Sequence, residues 1–592
     1  MKKRIADLIF ETLVKYNIKT CFAVVGGGAM HLDNALGLNK DIEKIFNHHE
    51  QACTIAAEGY AKITGQMAAA CVTSGPGATN AITGVMGAWV DSVPMIVLSG
   101  QVRYSLTVKA TGLPLRFRGV QEFDIINSVK NMTKYAVMLK EADKVIYELE
   151  KAIYIAMNGR RGPVWLDIPL DIQGAEIEEA DLQHFIPNEP SISCSEENFV
   201  ELEKMIKKAE RPIILAGNGI ANSGVLKKFH DFAKHLGIPV IAATIAADAM
   251  YHDYELYYGL SGSIGPRVGN FILQNSDFIL ALGTSLGFRT TGYSQDAFAP
   301  KAKIVMVDID DYEKQKPGVR YNLFIKADLH SFLIEGLKKL SKKNLDISWK
   351  KYCDALKSKF TPYETVVGIK ENERVGMYYF WKKFSELEPE DTIIALGNNT
   401  GICAKLQIGV KTDKQRVLAN NNCGSMGYDI PCALGAAVAT KKEVILVTGD
   451  GSFMMNLQEL QTIAHNKLPV KIVVFENNGY NAIRQTSRNF FNGFEVGCSK
   501  ESGISFPSFK EIAKTFGFKY NVANTNKDLE ETLKWLFNEK GNVLLEIKEK
   551  LDDPITPRLM SRMGADGKFL SPALEDLYPF LDEEELKKWM WK

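Results

Sequence analysis

Two apolar runs near the C-terminus end in side chains that could hold a metal ion. Residues 444–483 read VILVTGDGSFMMNLQELQTIAHNKLPVKIVVFENNGYNAI. Asp450 closes the run VILVT, and Asn477 closes IVVFE 27 positions later. Continuous apolar runs of this kind fit strands buried on both faces of a parallel sheet, and such sheets bind ligands beyond the carboxyl ends of their strands. A carboxylate, a carboxamide and the Gly479 carbonyl are hard oxygen donors that suit Mg²⁺ bridging to a diphosphate. Gly449 and Gly451 let the backbone approach a ligand, and a helix opening at Ser452 aims its N-terminus at the same place. The plain alternative is a pair of ordinary strand-end turns made of Gly, Asp and Asn. Gly-Asp-Gly alone favours that alternative; its pairing with Asn-Asn-Gly at this spacing does not.

Such residues need a frame. The chain alternates β-branched runs with amphipathic helical stretches, which predicts parallel sheets covered by helices. Strands are expected at 21–25, 68–74, 94–100, 391–397, 443–449 and 470–476, with a helix over EQACTIAAEGYAKIT closed by Gly65. The fold class is α/β: three doubly wound parallel-sheet domains over 1–175, 190–345 and 370–550, then a C-terminal extension, 551–592. A polar, proline-bearing linker separates the first two. The extension has an irregular proline-rich part, readable as a disordered end or a lid, and then a helix. G-x-G at Gly217 and Gly219 tempts a dinucleotide reading, but the spacing to Gly224 is wrong for GxGxxG and no acidic partner is evident.

With 592 residues the chain is too long for one core. Lys plus Arg and Asp plus Glu both total 71, so charge gives no reason to propose nucleic acid or a membrane surface as partner. Nine scattered cysteines without a CxxC pair point to buried, reduced thiols rather than zinc or disulfides. The N-terminus is amphipathic at helical spacing through Ile5, Leu8, Ile9 and Leu13, not a secretory signal, and no run reaches the ~18 apolar residues of a membrane span. A cytoplasmic protein is expected.

GDGSF followed by ENNGY resembles the cofactor motif of thiamine-diphosphate-dependent enzymes. HHEQACTIAAEGYAKITG, VTSGPGATNAITGVMGAWVDSVPMIVLSGQV, RGPVWLDIPLDIQ and CGSMGYDIPCALGAA extend the resemblance to the large subunit of acetolactate synthase, over about residues 1–550 and in the family's order. The three domains would then be pyrimidine-binding, central and diphosphate-binding. The resemblance implies thiamine diphosphate and Mg²⁺, with Asp450, Asn477 and Gly479 as metal ligands and Gly451, Ser452 and Tyr480 completing the cofactor motif. Glu50 matches the glutamate that activates the aminopyrimidine; burial would raise its pKa so that it holds a proton. Met426 matches the apolar prop under the bent cofactor, with the Gly424 carbonyl and Met426 amide bonding the pyrimidine. Gly397, Asn398 and Asn399 match a diphosphate-contacting loop. Gly26, Gly27 and Gly28 match a loop facing the thiazolium, whose amides could steady an oxyanion, and Gln121 lies near the reacting carbon. FAD is implied against the central domain, as are a homodimer or homotetramer and an optional regulatory subunit.

The pattern also departs from the family. Its lysine in DIPKD is Leu170, and the acidic pair before Arg289 is Gly287 and Phe288. Its tryptophan after RQ is Thr486, its phenylalanine before QE is Val120, and the first asparagine of its Asn-Asn pair is Glu476. Val120 and Thr486 would enlarge the second-substrate pocket, where Arg289 could meet a carboxylate. The function expected is decarboxylation of a 2-oxo acid such as pyruvate with carboligation to a carbonyl acceptor. The alternatives are a simple decarboxylase releasing an aldehyde and a non-catalytic cofactor-binding homologue. His48 and His49 adjoin Glu50 and are not the histidine pair of such decarboxylases.

Overall fold

The computed structural model describes residues 2–187, 194–364, 366–398, 400–563 and 569–592. Three six-stranded sheets dominate it, and every pairing within them is parallel. The first runs, across the sheet, through Glu43–Phe46, Thr20–Ala23, Ala69–Val72, Ile96–Gln101, Val164–Pro169 and Tyr135–Met138. Numbered by order along the chain, its strands lie 2-1-3-4-6-5. The third repeats that order with Arg416–Leu418, Ile393–Leu396, Val444–Gly449, Val470–Glu476, Val543–Lys548 and Lys519–Ala523. The second is 3-2-1-4-5-6, the order of dinucleotide-binding sheets.

The expected strands fall within a few residues of the observed ones because their apolar runs have no solvent-facing alternation. All residues of Val444–Gly449 and of Val470–Glu476 are buried. The helix Glu50–Thr64 ends as expected at Gly65, whose φ of 70° is a left-handed cap that favours glycine. Ahead of the first helix, Lys2–Arg4 forms an edge strand paired antiparallel with Glu176–Glu178, an element not expected from the sequence. The helix Ile347–Lys359 buries Trp349, Cys353 and Leu356 against Ile213, Leu215 and Ile279 of the second sheet.

First and third units meet through two helices, Glu50–Thr64 and Asp429–Thr440. Their backbones come so close that a Cβ on Gly59 would lie 2.5 Å from the Cys432 carbonyl oxygen, and one on Gly435 would overlap the Ala56 carbonyl. The described residues of the extension are docked: the first of them lie against the third unit and the rest strap across the second. Gln407 Nε2 donates to the Pro557 carbonyl, Arg267 to those of Leu577 and Pro579, and Asn270 Nδ2 to that of Leu574. The expected helix, Glu583–Trp589, leads Trp591 edge-on against Trp349 and Tyr352. No helix among the described residues is long and apolar enough to cross a membrane. All nine cysteines are free.

Candidate functional site

The third unit gathers Asp450, Asn477 and Gly479. Val444–Gly449 and Val470–Glu476 pair directly, so the two loops beyond them share one sheet edge. Asp450 is 2% exposed. Its Oδ1 accepts the Gly451 amide at 2.7 Å, and its Oδ2 accepts the amides of Asn477 at 3.2 Å and Gly479 at 3.0 Å. Burial pushes the carboxyl up to about 7 despite those three amides. Glu476 is directed elsewhere, toward Arg374 at 2.7 Å and Lys548 at 3.2 Å, which leaves Asn477 as the asparagine beside Asp450.

A second loop sits over this edge. Tyr480 and Met426 both lie against Gly451, where a Cβ would overlap the tyrosine ring and stand 3.0 Å from Met426 Cε. The Gly427 amide donates to Ser452 Oγ at 2.9 Å and its carbonyl accepts Asn456 Nδ2 at 2.6 Å. These bonds fasten the 424–427 turn, where Gly424 and Gly427 take φ of 65° and 78°. The Gly424 carbonyl, expected to face a pyrimidine, accepts from Asn398 Nδ2 in this structure. A Cβ on Gly397 would overlap the buried Asp429 carboxylate. Asn399 lies outside the described residues. Asp450, Asn477 and the Gly479 backbone are hard oxygen donors on one edge, and the donor set fits Mg²⁺.

The first unit assembles a second cluster around residues 73–80, a loop the sequence reading quoted without assigning roles. The Glu50 carboxylate accepts Asn80 Nδ2 at 3.0 Å, and a Cβ on Gly77 would stand 3.4 Å from it. Glu50 opens its helix behind His49, whose ring Nδ1 accepts the Gln51 amide at 3.0 Å. It is half-buried, not enclosed as expected. Gln121, with φ of 58°, lays its carbonyl against Gly75, which has no room for a Cβ. Of the three glycine amides, two are spent: Gly26 donates to Asp33 Oδ2 at 2.9 Å and Gly28 to Thr73 Oγ1 at 3.0 Å. Gly27 is exposed, and a Cβ there would meet nothing within 4 Å. The buried Asp167 takes Ser99 Oγ at 2.6 Å and Gln101 Nε2 at 3.1 Å; the same Gln101 nitrogen donates to the Phe123 carbonyl at 2.9 Å, tying down the Gln121 loop.

Within the chain the two clusters are joined beside Glu50 rather than through it. Buried Glu459 accepts Asn47 Nδ2 at 2.9 Å and the His48 amide at 3.0 Å, and Asn456 Nδ2 approaches Gln51 Oε1 at 3.4 Å. Glu459 and Asn80 stand in no recognisable sequence pattern, since each meets its partner only through folding.

The comparisons match this division. Residues 3–126 match the N-terminal TPP binding domain of thiamine pyrophosphate enzymes, residues 200–335 their central domain and residues 395–547 their C-terminal TPP binding domain. The chain is 30% identical to acetolactate synthase 1, chloroplastic, of Zea mays, over 94% of this chain and 87% of that one. It is 31% identical to the acetolactate synthase large subunit of Corynebacterium glutamicum, over 86% and 81%. With the acetolactate synthase isozyme 2 large subunit of Escherichia coli K12 the figures are 28%, 93% and 97%.

The chain belongs to the thiamine pyrophosphate enzymes, of the acetolactate synthase kind. For a member of that family its remaining predicted residues are dispersed. Arg289 does not meet Thr486 or Val120 in any described contact. It borders a cavity of about 520 Å³ between the first and second units and donates to Asn421 Oδ1 at 3.2 Å. That cavity opens where the 3-2-1-4-5-6 sheet reverses direction, between Pro212–Ala216 and Phe278–Leu282. Here Gly217 is needed because a Cβ would overlap the Gly283 carbonyl. Asp308, at the end of Lys303–Asp308, also lines it. Thr486 is exposed, and Val120 is 84% exposed. Leu170, in place of the family lysine, is half-buried and opens the short helix Leu170–Gln173.

Proposed function

We propose that this enzyme decarboxylates a 2-oxo acid, pyruvate in the first instance, and joins the remaining carbon unit to a carbonyl acceptor. Bound thiamine diphosphate supplies the carbon nucleophile and the electron sink. Asp450, Asn477 and the Gly479 carbonyl would hold Mg²⁺, and Asn398 and the backbone at 451–452 would hold the diphosphate end of the cofactor. Met426, Gly424 and Tyr480 shape the cradle above Gly451. Glu50 holds and passes a proton at its carboxyl oxygens, and Asn80 fixes its orientation. Gly27 would turn its amide toward the reacting carbonyl, and Gln121 is assigned near the reacting carbon by the resemblance. The observation that carries the reading is the Asp450 carboxylate gathering the Asn477 and Gly479 amides at a strand edge that Met426 and Tyr480 overhang.

Two further assignments belong to the same reading. The 520 Å³ cavity between the first and second units would take a nucleotide cofactor, FAD by family resemblance, with Asp308 and Arg289 on its walls. The working unit is a homo-oligomer in which the first unit of one copy faces the third of another. Supporting this, Leu113, Leu115, Phe117 and Val120 are exposed around the Gln121 loop, and Ile483, Phe490, Phe491, Phe494 and Val496 beyond Tyr480. The test is Glu50→Gln. Thiamine-diphosphate-dependent CO₂ release from pyruvate should fall about 10²–10⁴-fold while cofactor affinity is retained; unchanged turnover would overturn the assignment.

A further inference from the structure

A buried acid, Glu549, lies beside the proposed metal ligand Asn477. Glu549 is 1% exposed and follows the strand Val543–Lys548, which pairs with Val470–Glu476 in register Glu476↔Lys548. That register sets Glu549 beside Asn477, and Asn477 Nδ2 donates to Glu549 Oε2 at 2.7 Å. The backbone fixes Glu549 as well: its amide donates to the Glu476 carbonyl at 3.0 Å and its carbonyl accepts Arg374 Nε at 2.7 Å. Its other oxygen, Oε1, is buried and has no hydrogen-bond partner among the described residues. A buried carboxylate near Asp450 and Asp553 is a poor choice for stability alone, where an apolar side chain would cost less.

A carboxamide can ligate a cation only through its oxygen; the opposite flip presents two N–H donors. Two neighbours specify the same flip of Asn477. Glu549, an acceptor, takes the nitrogen. Arg484, a donor, stands on the oxygen side, with Nη2 3.4 Å from Asn477 Oδ1 and 2.8 Å from the Asn477 carbonyl oxygen. We propose that Glu549 is the positioning residue that holds the Asn477 carboxamide with its oxygen toward the metal. The inference rests on the metal site proposed above and extends it to a residue outside the cofactor motif. Partners one shell out from a metal ligand typically control 10–100-fold in metal affinity.

The test is Mn²⁺ binding, read by electron paramagnetic resonance of the free ion, on the full chain with thiamine diphosphate and no substrate. Glu549→Gln retains an acceptor for Asn477 Nδ2 and should bind Mn²⁺ within about threefold of wild type. Glu549→Leu removes it and should weaken binding tenfold or more, with the apo Tm recorded alongside. If the leucine variant does not fold, the same readout is taken on Asn477→Asp and on the double variant N477D/E549Q. The single substitution sets two carboxylates together and should lose Mn²⁺, and the glutamine should restore it by donating to the new acid. Wild-type binding in E549L, equal loss in E549Q and E549L, or no recovery in the double variant would overturn the role of Glu549. Wild-type protein that takes no Mn²⁺ beside thiamine diphosphate would overturn the metal site itself.

Discussion

At the scale of single residues, the site is built by acids whose surroundings are fixed by backbone amides and neighbouring carboxamides. Asp167 illustrates how far this reaches from the cofactor. Burial raises its carboxyl to about 7, against about 3.9 for an ordinary aspartate. The folded chain therefore binds more protons than the unfolded chain between those values, and this contribution to stability is lost as pH rises through about 7. Asp167→Asn abolishes that titration. The stability of wild type relative to D167N, measured by denaturant unfolding, should fall between about pH 4 and 7 by up to about 1.4 kcal/mol per unit and then level off. A pH-independent difference would contradict it. Proximity was legible where motif and spacing coincided, as for Asp450 and Asn477. It was not legible for Asn80, Glu459 and Glu549, because an ordinary Asn or Glu in sequence acquires meaning only from the partner that the fold brings within 3 Å. The three-glycine loop was legible as a group; which amide is free was not, since Asp33 and Thr73 claim two of them.

Among elements, position follows from strand ends and from one helix pair. The apolar runs made the strands readable, and the shared 2-1-3-4-6-5 order explains why cofactor-motif residues of the third unit fall on adjacent strand ends. The sequence did not reveal that Gly59 and Gly435, spaced as unremarkable helix glycines, let the two units approach backbone to backbone. Gly435→Ala places a methyl into the Ala56 carbonyl, which no side-chain rotation can relieve. It should destabilise the chain by about 1–3 kcal/mol or more and lower the Tm. In Gly37→Ala the added methyl meets nothing within 4 Å and replaces a poor helix former with the best one. The contrast separates helix contact from helix propensity, and equal Tm values for the two variants would contradict the packing described.

For the whole molecule, three sheets divide the labour: one leads to Glu50, one carries the Asp450–Asn477 edge, and one forms, with the first unit, the walls of the 520 Å³ cavity. The extension spans the second unit on its outer side, where Trp591 packs against Trp349 and Tyr352. Its docking was illegible because a proline-rich, acidic tail has no periodicity, and its aromatic anchors reveal their partners only in three dimensions. Val120 and Thr486 lie on exposed surfaces flanked by apolar side chains; under the homo-oligomer proposed above, the acceptor site would take its final shape when copies associate. The central claim is that the chain forms a carbon–carbon bond after releasing CO₂. Its most direct test is mass spectrometry of the products from ¹³C-labelled pyruvate with thiamine diphosphate and Mg²⁺, alone and with added carbonyl acceptors. The account predicts CO₂ together with a product carrying the pyruvate-derived carbons joined to an acceptor carbonyl; CO₂ with acetaldehyde as the sole other product, or no cofactor-dependent CO₂ under any of these conditions, would contradict it.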